Sequence, residues 1–210
     1  MLHSMRQFDD LTYVHSVNVA LIASILGQWL KFSEKDIRIL TISGLLHDIG
    51  KIMIPNEILT KPGKLTVAEY NIMKQHVNFG YEKVKNQNID IRIKEACLLH
   101  HEKCDGTGYP FGLKSDHIPA VAKIIAIADV YDAMTSARVY RGALCPFEVI
   151  DTMYKDAFTK FEPEYILPFL KNVASSYINN DVRLSDGRIG KVVLILSLIH
   201  ISEPTRLDVI

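Results

Sequence analysis

The residues Gly44–Met53, with the sequence GLLHDIGKIM, place a histidine and an aspartate side by side in an apolar segment. Apolar side chains at the spacing of one helix face surround the pair His47–Asp48, so the pattern predicts a buried helix. Burying an imidazole or an ionised carboxylate without a partner is energetically costly. A divalent metal would be such a partner, because both groups are good ligands for first-row metals. The alternative is a core histidine hydrogen-bonded to its neighbour.

The composition is that of an ordinary globular protein. The chain has 210 residues, of which 48% are hydrophobic, and its 24 basic and 24 acidic side chains balance. Such a chain has no global positive field that would attract a nucleic acid polymer. The three cysteines show no C-x-x-C spacing, which fits a reducing compartment and argues against a zinc ribbon. Polar residues interrupt the apolar stretch Val17–Leu30, and Val192–Ile201 is too short to span a bilayer. We therefore predict a cytoplasmic protein without a membrane partner.

Most of the chain is predicted to be helical. Helical patterns and first-turn prolines cover residues 11–29, 34–49, 66–84, 91–101, 118–137, 146–158 and 163–177. A Ser-Asp-Gly turn beside β-branched residues predicts a β-hairpin in residues 179–195. The last residues resemble translated sequencing-adapter sequence, and we expect a non-native tail there. The predicted fold class is all-α, a helical bundle with a small C-terminal β-hairpin, divided into residues 1–178, 179–195 and 196–210.

Five of the eight histidines and two aspartates lie on or beside apolar helix faces. The set is His15, His47, Asp48, His76, His100, His101 and Asp129. Facing helices of a bundle commonly build metal sites from such inward side chains. Seven nitrogen and oxygen ligands are too many for one tetrahedral ion and suit two ions roughly 3.5–4 Å apart. Without sulfur donors the set favours iron or manganese, with zinc as a third option.

Basic side chains near this set indicate an anionic substrate. Lys51 lies one helical turn after His47, and Arg138 and Arg141 follow the helix that carries Asp129. Arginine binds phosphate oxygens bidentately, and lysine binds them as a point charge. For the two arginines the alternative is a cationic helix end that complements the helix dipole.

Four segments together resemble one known family. They are HDIGK (residues 47–51), KPGKLT (61–66), HHEKCDGTGYP (100–110) and IADVYDAMTSARVYR (127–141). In this order they are similar to the HD-GYP branch of the HD phosphohydrolase superfamily. The resemblance implies an HD-superfamily helical bundle and a metal-dependent phosphodiesterase. The implied reaction is hydrolysis of the bacterial messenger cyclic di-GMP to linear pGpG, and in some members on to GMP.

The resemblance also implies roles for individual residues. All seven members of the His/Asp set match metal ligands, with Asp48 as the bridge, and Asp48 and Lys51 are implied as catalytic. The residues implied in substrate binding are Lys51, Asp105, Gly108, Tyr109, Pro110, Asp132, Arg138 and Arg141. Leu11 occupies the position where some members have a glutamate for a third metal, so two divalent ions are expected. Lys123 stands where the family often has arginine.

The resemblance further implies partners. They are cyclic di-GMP as substrate and diguanylate cyclases (GGDEF proteins) at the Gly108–Pro110 loop. A homodimer and a monomer are both compatible with the sequence, which does not decide between them. Family members usually carry an upstream sensory or receiver domain. The 210 residues of this chain leave no room for such a domain, so we expect either a stand-alone enzyme or a fragment.

Two other functions remain open at this point. The first is a catalytically silent cyclic di-GMP receptor or cyclase-docking module, which loss of a metal ligand would favour, and no ligand is lost. The second is a generic HD hydrolase acting on nucleotides or (p)ppGpp. The DGTGYP sequence at residues 105–110 argues against it.

Overall fold

The computed structural model describes residues 10–136, 144–184, 187–193 and 207–209. The α-helices are α1 (Asp10–Trp29), α2 (Glu34–Leu46), α3 (Asn56–Leu59), α4 (Val67–Met73), α5 (His76–Val84), α6 (Ile91–Leu99), α7 (Ala120–Thr135), α8 (Pro146–Asp156) and α9 (Pro163–Ser176). Short 3₁₀ helices cover Ile49–Met53 and Ser115–His117. The predicted helical fold is confirmed.

Three short strands form an antiparallel sheet near the C-terminus. They are β1 (Asp181–Leu184), β2 (Ile189–Lys191) and β3 (Leu207–Val209), in the order β2-β1-β3. The pair β1–β2 is the predicted hairpin. Strand β3 was not predicted and lies in the segment expected to be a non-native tail. Its pairing with β1 is a contact between residues distant in sequence, which local alternation does not reveal.

The chain divides into two compact units, residues 1–132 and 133–210. The core of the first unit includes the fully buried Leu26 and Leu40, and the core of the second includes the fully buried Ile150 and Ile166. The predicted domain bounds, 1–178, 179–195 and 196–210, stay a prediction.

Among the described residues, one helix segment has the length and hydropathy of a membrane span, Leu11–Trp29 in α1. The core helix of a soluble protein passes the same test. Val19, Ala23 and Leu26 on this helix are buried completely. The cytoplasmic location stays a prediction.

The helix before the HD pair ends earlier than the sequence predicts. Helix α2 ends at Leu46, His47 is its C-cap, and a 3₁₀ helix begins at Ile49. The prediction of a helix over 34–49 is therefore wrong in its last three residues. The cause is a close approach of two backbones, because a Cβ on Gly50 would lie 1.9 Å from the carbonyl oxygen of His76. The HD pair thus lies at a helix end, between α2 and the 3₁₀ helix.

The predicted helix over residues 66–84 is in fact two helices. Helix α4 starts with a capping box at Thr66, the chain turns at Lys74–Gln75, and α5 begins at His76. Nδ1 of His76 lies 2.8 Å from the carbonyl oxygen of Met73. This bond to the last residue of α4 gives the His76 ring a fixed orientation at the turn.

Candidate metal centre

The structure brings all seven predicted metal ligands together in the first unit. Their donor atoms form two groups, in each of which the atoms lie within 4.8 Å of one another. The first group is His15, His47 and Asp129, and the second is Asp48, His76, His100 and His101. Asp48 lies between the groups, because its Oδ2 is 3.3 Å from His47 Nε2 and its Oδ1 is 3.3 Å from His76 Nε2.

Three of the histidines are held at helix termini in the same way. The Nδ1 atoms of His47, His76 and His100 lie 2.7, 2.8 and 3.0 Å from the carbonyl oxygens of Gly44, Met73 and Ala96. A carbonyl oxygen only accepts hydrogen bonds, so each Nδ1 carries the proton and each Nε2 presents a lone pair to the centre. Backbone bonds of this type fix the tautomer and the ring orientation of metal-binding histidines.

Several polar atoms of the centre lack a hydrogen-bonding partner. Among the described residues, His47 Nε2 and Asp48 Oδ1 are buried without one. The Nε2 atoms of His76 and His100 face each other at 3.3 Å. With both protons on Nδ1 these two atoms are acceptors, and two facing lone pairs repel. A divalent cation would satisfy all of these atoms, so the donor set fits a metal. The cluster can therefore hold a divalent metal ion.

The protonation states of three members of the second donor group also suit a metal. Burial lowers the pKa of His100 well below its usual range and that of His101 to about 3, so both rings are neutral at pH 7. Burial alone would raise the pKa of Asp48, but the charge of Lys51 and then the interaction with the neighbouring His47 outweigh it and keep the pKa well below its usual range. Metal binding requires neutral imidazoles and ionised carboxylates.

The carboxylate of Asp132 lies behind His15. Its Oδ2 is 2.6 Å from His15 Nδ1, and its Oδ1 accepts a hydrogen bond of 2.9 Å from Asn18 Nδ2. On the other side of the ring, His15 Nε2 is 3.0 Å from Asp129 Oδ1. Asp132 is only 4% exposed, so these contacts make it a positioning group for His15. Its substrate contact stays a prediction.

The two aspartates also determine the charge of His15. Burial lowers the pKa of His15, but the hydrogen bonds to Asp129 and then Asp132 outweigh burial and raise the pKa to about 9. Sequence reasoning missed Asn18, although it follows His15 by three residues and therefore lies on the same helix face.

Lys51 lies against the bridging position. The 3₁₀ geometry brings its Nζ within 2.5 Å of Asp48 Oδ2, and its side chain is 20% exposed. Its charge is therefore at the edge of the centre, where an anion can approach. Arg138 and Arg141 lie outside the described residues.

The loop Gly108–Pro110 folds back on the histidine pair. Tyr109 N donates to the carbonyl oxygen of His101 at 3.1 Å, and the two rings lie 4.7 Å apart at 31°. A Cβ on Gly108 would lie 2.5 Å from the same carbonyl oxygen, so only glycine allows this approach. Asp105 accepts bonds from the backbone and hydroxyl of Thr107. The predicted substrate contacts of Asp105 and of this loop stay predictions.

Glu102 is a second residue that sequence reasoning missed. Its side chain is 4% exposed, and its Oε1 and Oε2 accept hydrogen bonds of 2.7 and 2.9 Å from the backbone N–H groups of Phe111 and Leu113. The carboxylate therefore closes the loop onto the end of α6. Its signal in the sequence is an acidic residue directly after two histidines.

Comparisons with known proteins identify the family of the chain. The family model of the HD domain matches residues 6–165. The cyclic di-GMP phosphodiesterase PA4108 of Pseudomonas aeruginosa is 37% identical over 190 residues, which are 90% of this chain and 46% of that protein. The 3′3′-cGAMP-specific phosphodiesterase 2 of Vibrio cholerae is 36% identical over 158 residues, 74% of this chain and 30% of that protein. The chain thus spans less than half the length of either relative.

A solved structure shows the same fold. It is the HD domain of the L. monocytogenes phosphodiesterase PgpH in complex with cyclic-di-AMP, with a TM-score of 0.64 and 18% identity over 83% of this chain and 93% of that one. The resemblance to HD-GYP phosphodiesterases that the sequence motifs indicated is confirmed, and this chain belongs to the HD domain family.

Proposed function

We propose that the chain is a metal-dependent phosphodiesterase that hydrolyses cyclic di-GMP to linear pGpG. The observation that carries the proposal is the pair of donor groups joined by Asp48, whose two carboxylate oxygens face His47 of the first group and His76 of the second. Two adjacent cations are the usual device for displacing an oxygen at phosphorus. The similarity to PA4108, which is named a cyclic di-GMP phosphodiesterase, supports this substrate.

The residues suit two ions, with Asp48 shared between the two donor groups. Iron or manganese is favoured over zinc because the donors are nitrogen and oxygen atoms. The buried thiol of Cys97 donates to the carbonyl oxygen of Leu46, and burial raises its pKa to about 12, so it is not a ligand. When bound, the ions would polarise the phosphoryl oxygens and make a water molecule more acidic.

The protein side chains contribute positioning and charge. Asp132 orients His15, and the backbone carbonyl oxygens orient His47, His76 and His100. Lys51 supplies positive charge for the phosphate that is attacked. Burial raises the pKa of Tyr109, so its hydroxyl stays protonated and can donate a hydrogen bond to the substrate.

The test is purification without oxygen, metal analysis, and incubation with cyclic di-GMP and, separately, with 3′3′-cGAMP. We expect about two metal ions per chain and the appearance of pGpG. Metal-loaded protein that binds cyclic di-GMP without cleaving it would contradict the proposal and favour a receptor. Cleavage of 3′3′-cGAMP alone would contradict the proposed substrate.

We also propose that the Gly108–Pro110 loop binds diguanylate cyclases, as the family resemblance implies. The side chain of Phe111, directly after the loop, is 62% exposed and offers an apolar contact. Titration with an isolated GGDEF domain should show binding that Phe111→Ser weakens. Absence of a complex at micromolar concentrations would contradict this proposal. Sedimentation of the chain alone distinguishes a monomer from a homodimer.

A further inference from the structure

Two tyrosines and a lysine form a cluster beside the metal centre. Tyr70 projects from α4 and is 49% exposed, and Lys74 follows the end of the same helix. The Nζ of Lys74 lies 5.3 Å from the ring centroid of Tyr70 and 5.9 Å from that of Tyr109. One ammonium group therefore contacts two aromatic rings from separate segments. Neither Tyr70 nor Lys74 was singled out by the sequence.

This cluster adjoins the second donor group directly. The Tyr109 ring is 4.7 Å from the His101 ring and 6.5 Å from the His76 ring. Lys74 precedes His76 by two residues at the turn between α4 and α5. A ligand whose phosphate is held at the metal centre could therefore reach the three side chains with its neighbouring groups.

The charge of Lys74 has no acidic partner within ion-pair distance among the described residues. Lys61 differs, because its Nζ donates to both carboxylate oxygens of Glu69 at 2.7–2.8 Å. Within the described part of the chain, Lys74 is thus a partly exposed cation that contacts two aromatic rings and no carboxylate. Such a cation can bind an incoming acceptor without first breaking a salt bridge.

We propose that Tyr70 and Lys74 form a purine-binding platform for one nucleotide of the cyclic dinucleotide. The base stacks on the Tyr70 ring, and the Lys74 ammonium group donates to acceptor atoms of the same nucleotide. Aromatic side chains and a nearby cation are the common means of holding an unpaired base. The inference rests on the proposed function and extends it to two residues that bind the substrate away from the scissile phosphate.

The experiment compares Tyr70→Ala, Tyr70→Phe, Lys74→Met and Lys74→Arg with the wild type, all metal-loaded, using cyclic di-GMP. Tyr70→Ala and Lys74→Met should each raise KM about tenfold and change kcat by less than about twofold, because stacking contributes equally to the ground and transition states. Tyr70→Phe and Lys74→Arg keep the ring and the charge, so they should restore most of the affinity. Tyr81→Ala, a partly buried tyrosine of α5, is the matched control and should leave KM unchanged.

The outcomes separate this inference from the proposed function. A wild-type enzyme that cleaves cyclic di-GMP, with Tyr70→Ala and Lys74→Met indistinguishable from it in KM, overturns the platform alone. A fall in kcat and in metal content without a rise in KM also overturns it, because it shows a structural role at the turn before His76. A wild-type chain that does not cleave cyclic di-GMP overturns the proposed function, and the platform with it.

Discussion

Two clusters of charged side chains in the first unit are built in opposite ways. At the surface, Arg92 joins α2 to α6: its Nη1 donates to Asp36 at 2.7 Å, and its Nε and Nη2 donate to the two oxygens of Asp90 at 3.0 Å. In the metal centre, by contrast, acceptors face acceptors, as with the Nε2 atoms of His76 and His100. The first cluster is complete in itself, and the second is complete only with a cation.

The difference separates structural polar clusters from functional ones. Buried polar groups normally have hydrogen-bonding partners, and a buried group without one costs stability. A protein that keeps such groups together must gain something from a ligand that completes them. The two clusters should therefore respond differently to substitution and to metal removal.

Asp48→Ala should have the largest effect. It removes the carboxylate that lies between the two donor groups, so turnover of cyclic di-GMP should fall about 1000-fold or more. Metal content per chain should fall as well. Asp48→Asn is the matched variant, since it keeps the shape and removes the charge. If Asp48→Ala retained wild-type turnover and metal content, the centre would not be the catalytic site.

Metal removal should lower the thermal stability of the wild type. At a metal concentration of 100 times Kd, binding contributes about 2.7 kcal/mol, which corresponds to roughly 5–10 °C in Tm for a chain of this size. The increase in Tm on adding Mn²⁺ should be absent in Asp48→Ala. In Arg92→Ala it should be as large as in the wild type. Scanning calorimetry with and without a chelator measures it. An equal response to metal in all three proteins would contradict the difference between the two clusters.

The candidate site could be predicted from the sequence more completely than the details of the fold. Polar residues such as His47 and Asp129 in apolar helices are conspicuous, because burial demands a reason for them. The end of α2 at Leu46 was not predictable, since it depends on the contact of Gly50 with the backbone of α5. The contact of Asn18 was missed because its partner Asp132 lies 114 residues away. The contacts of Glu102 were missed because they depend on the conformation of an irregular loop, which local patterns do not reveal.

Glu102→Ala should have an intermediate effect on stability. It removes the acceptor of the N–H groups of Phe111 and Leu113, and a hydrogen bond to a charged group contributes about 1.5–3 kcal/mol. Urea unfolding should show a loss of about 2 kcal/mol or more, and the two amides should exchange faster with deuterium. Glu102→Gln, which retains one acceptor oxygen, should lie between Ala and wild type. Wild-type exchange rates in Glu102→Ala would show that the carboxylate does not hold the loop.

Asp90→Asn should have the smallest effect on the free energy of unfolding, and only above about pH 4. Hydrogen bonds from the side chain and backbone of Arg92 lower the pKa of Asp90 to about 2. A pKa below that of the unfolded chain, about 3.9, means that the carboxylate stabilises the fold above about pH 4 and that this contribution is lost as the pH falls towards 2.

The asparagine keeps an oxygen that can accept from Arg92 N as the helix cap, so the variant removes mainly the charge. Wild type and variant should therefore differ by less than about 1 kcal/mol at pH 6 and converge at pH 2, as measured by urea unfolding across this range. A difference that stayed constant with pH would mean that Asp90 acts through its cap and not through its charge. The surface cluster would then owe its stability to hydrogen-bond geometry alone, whereas the metal centre depends on charge.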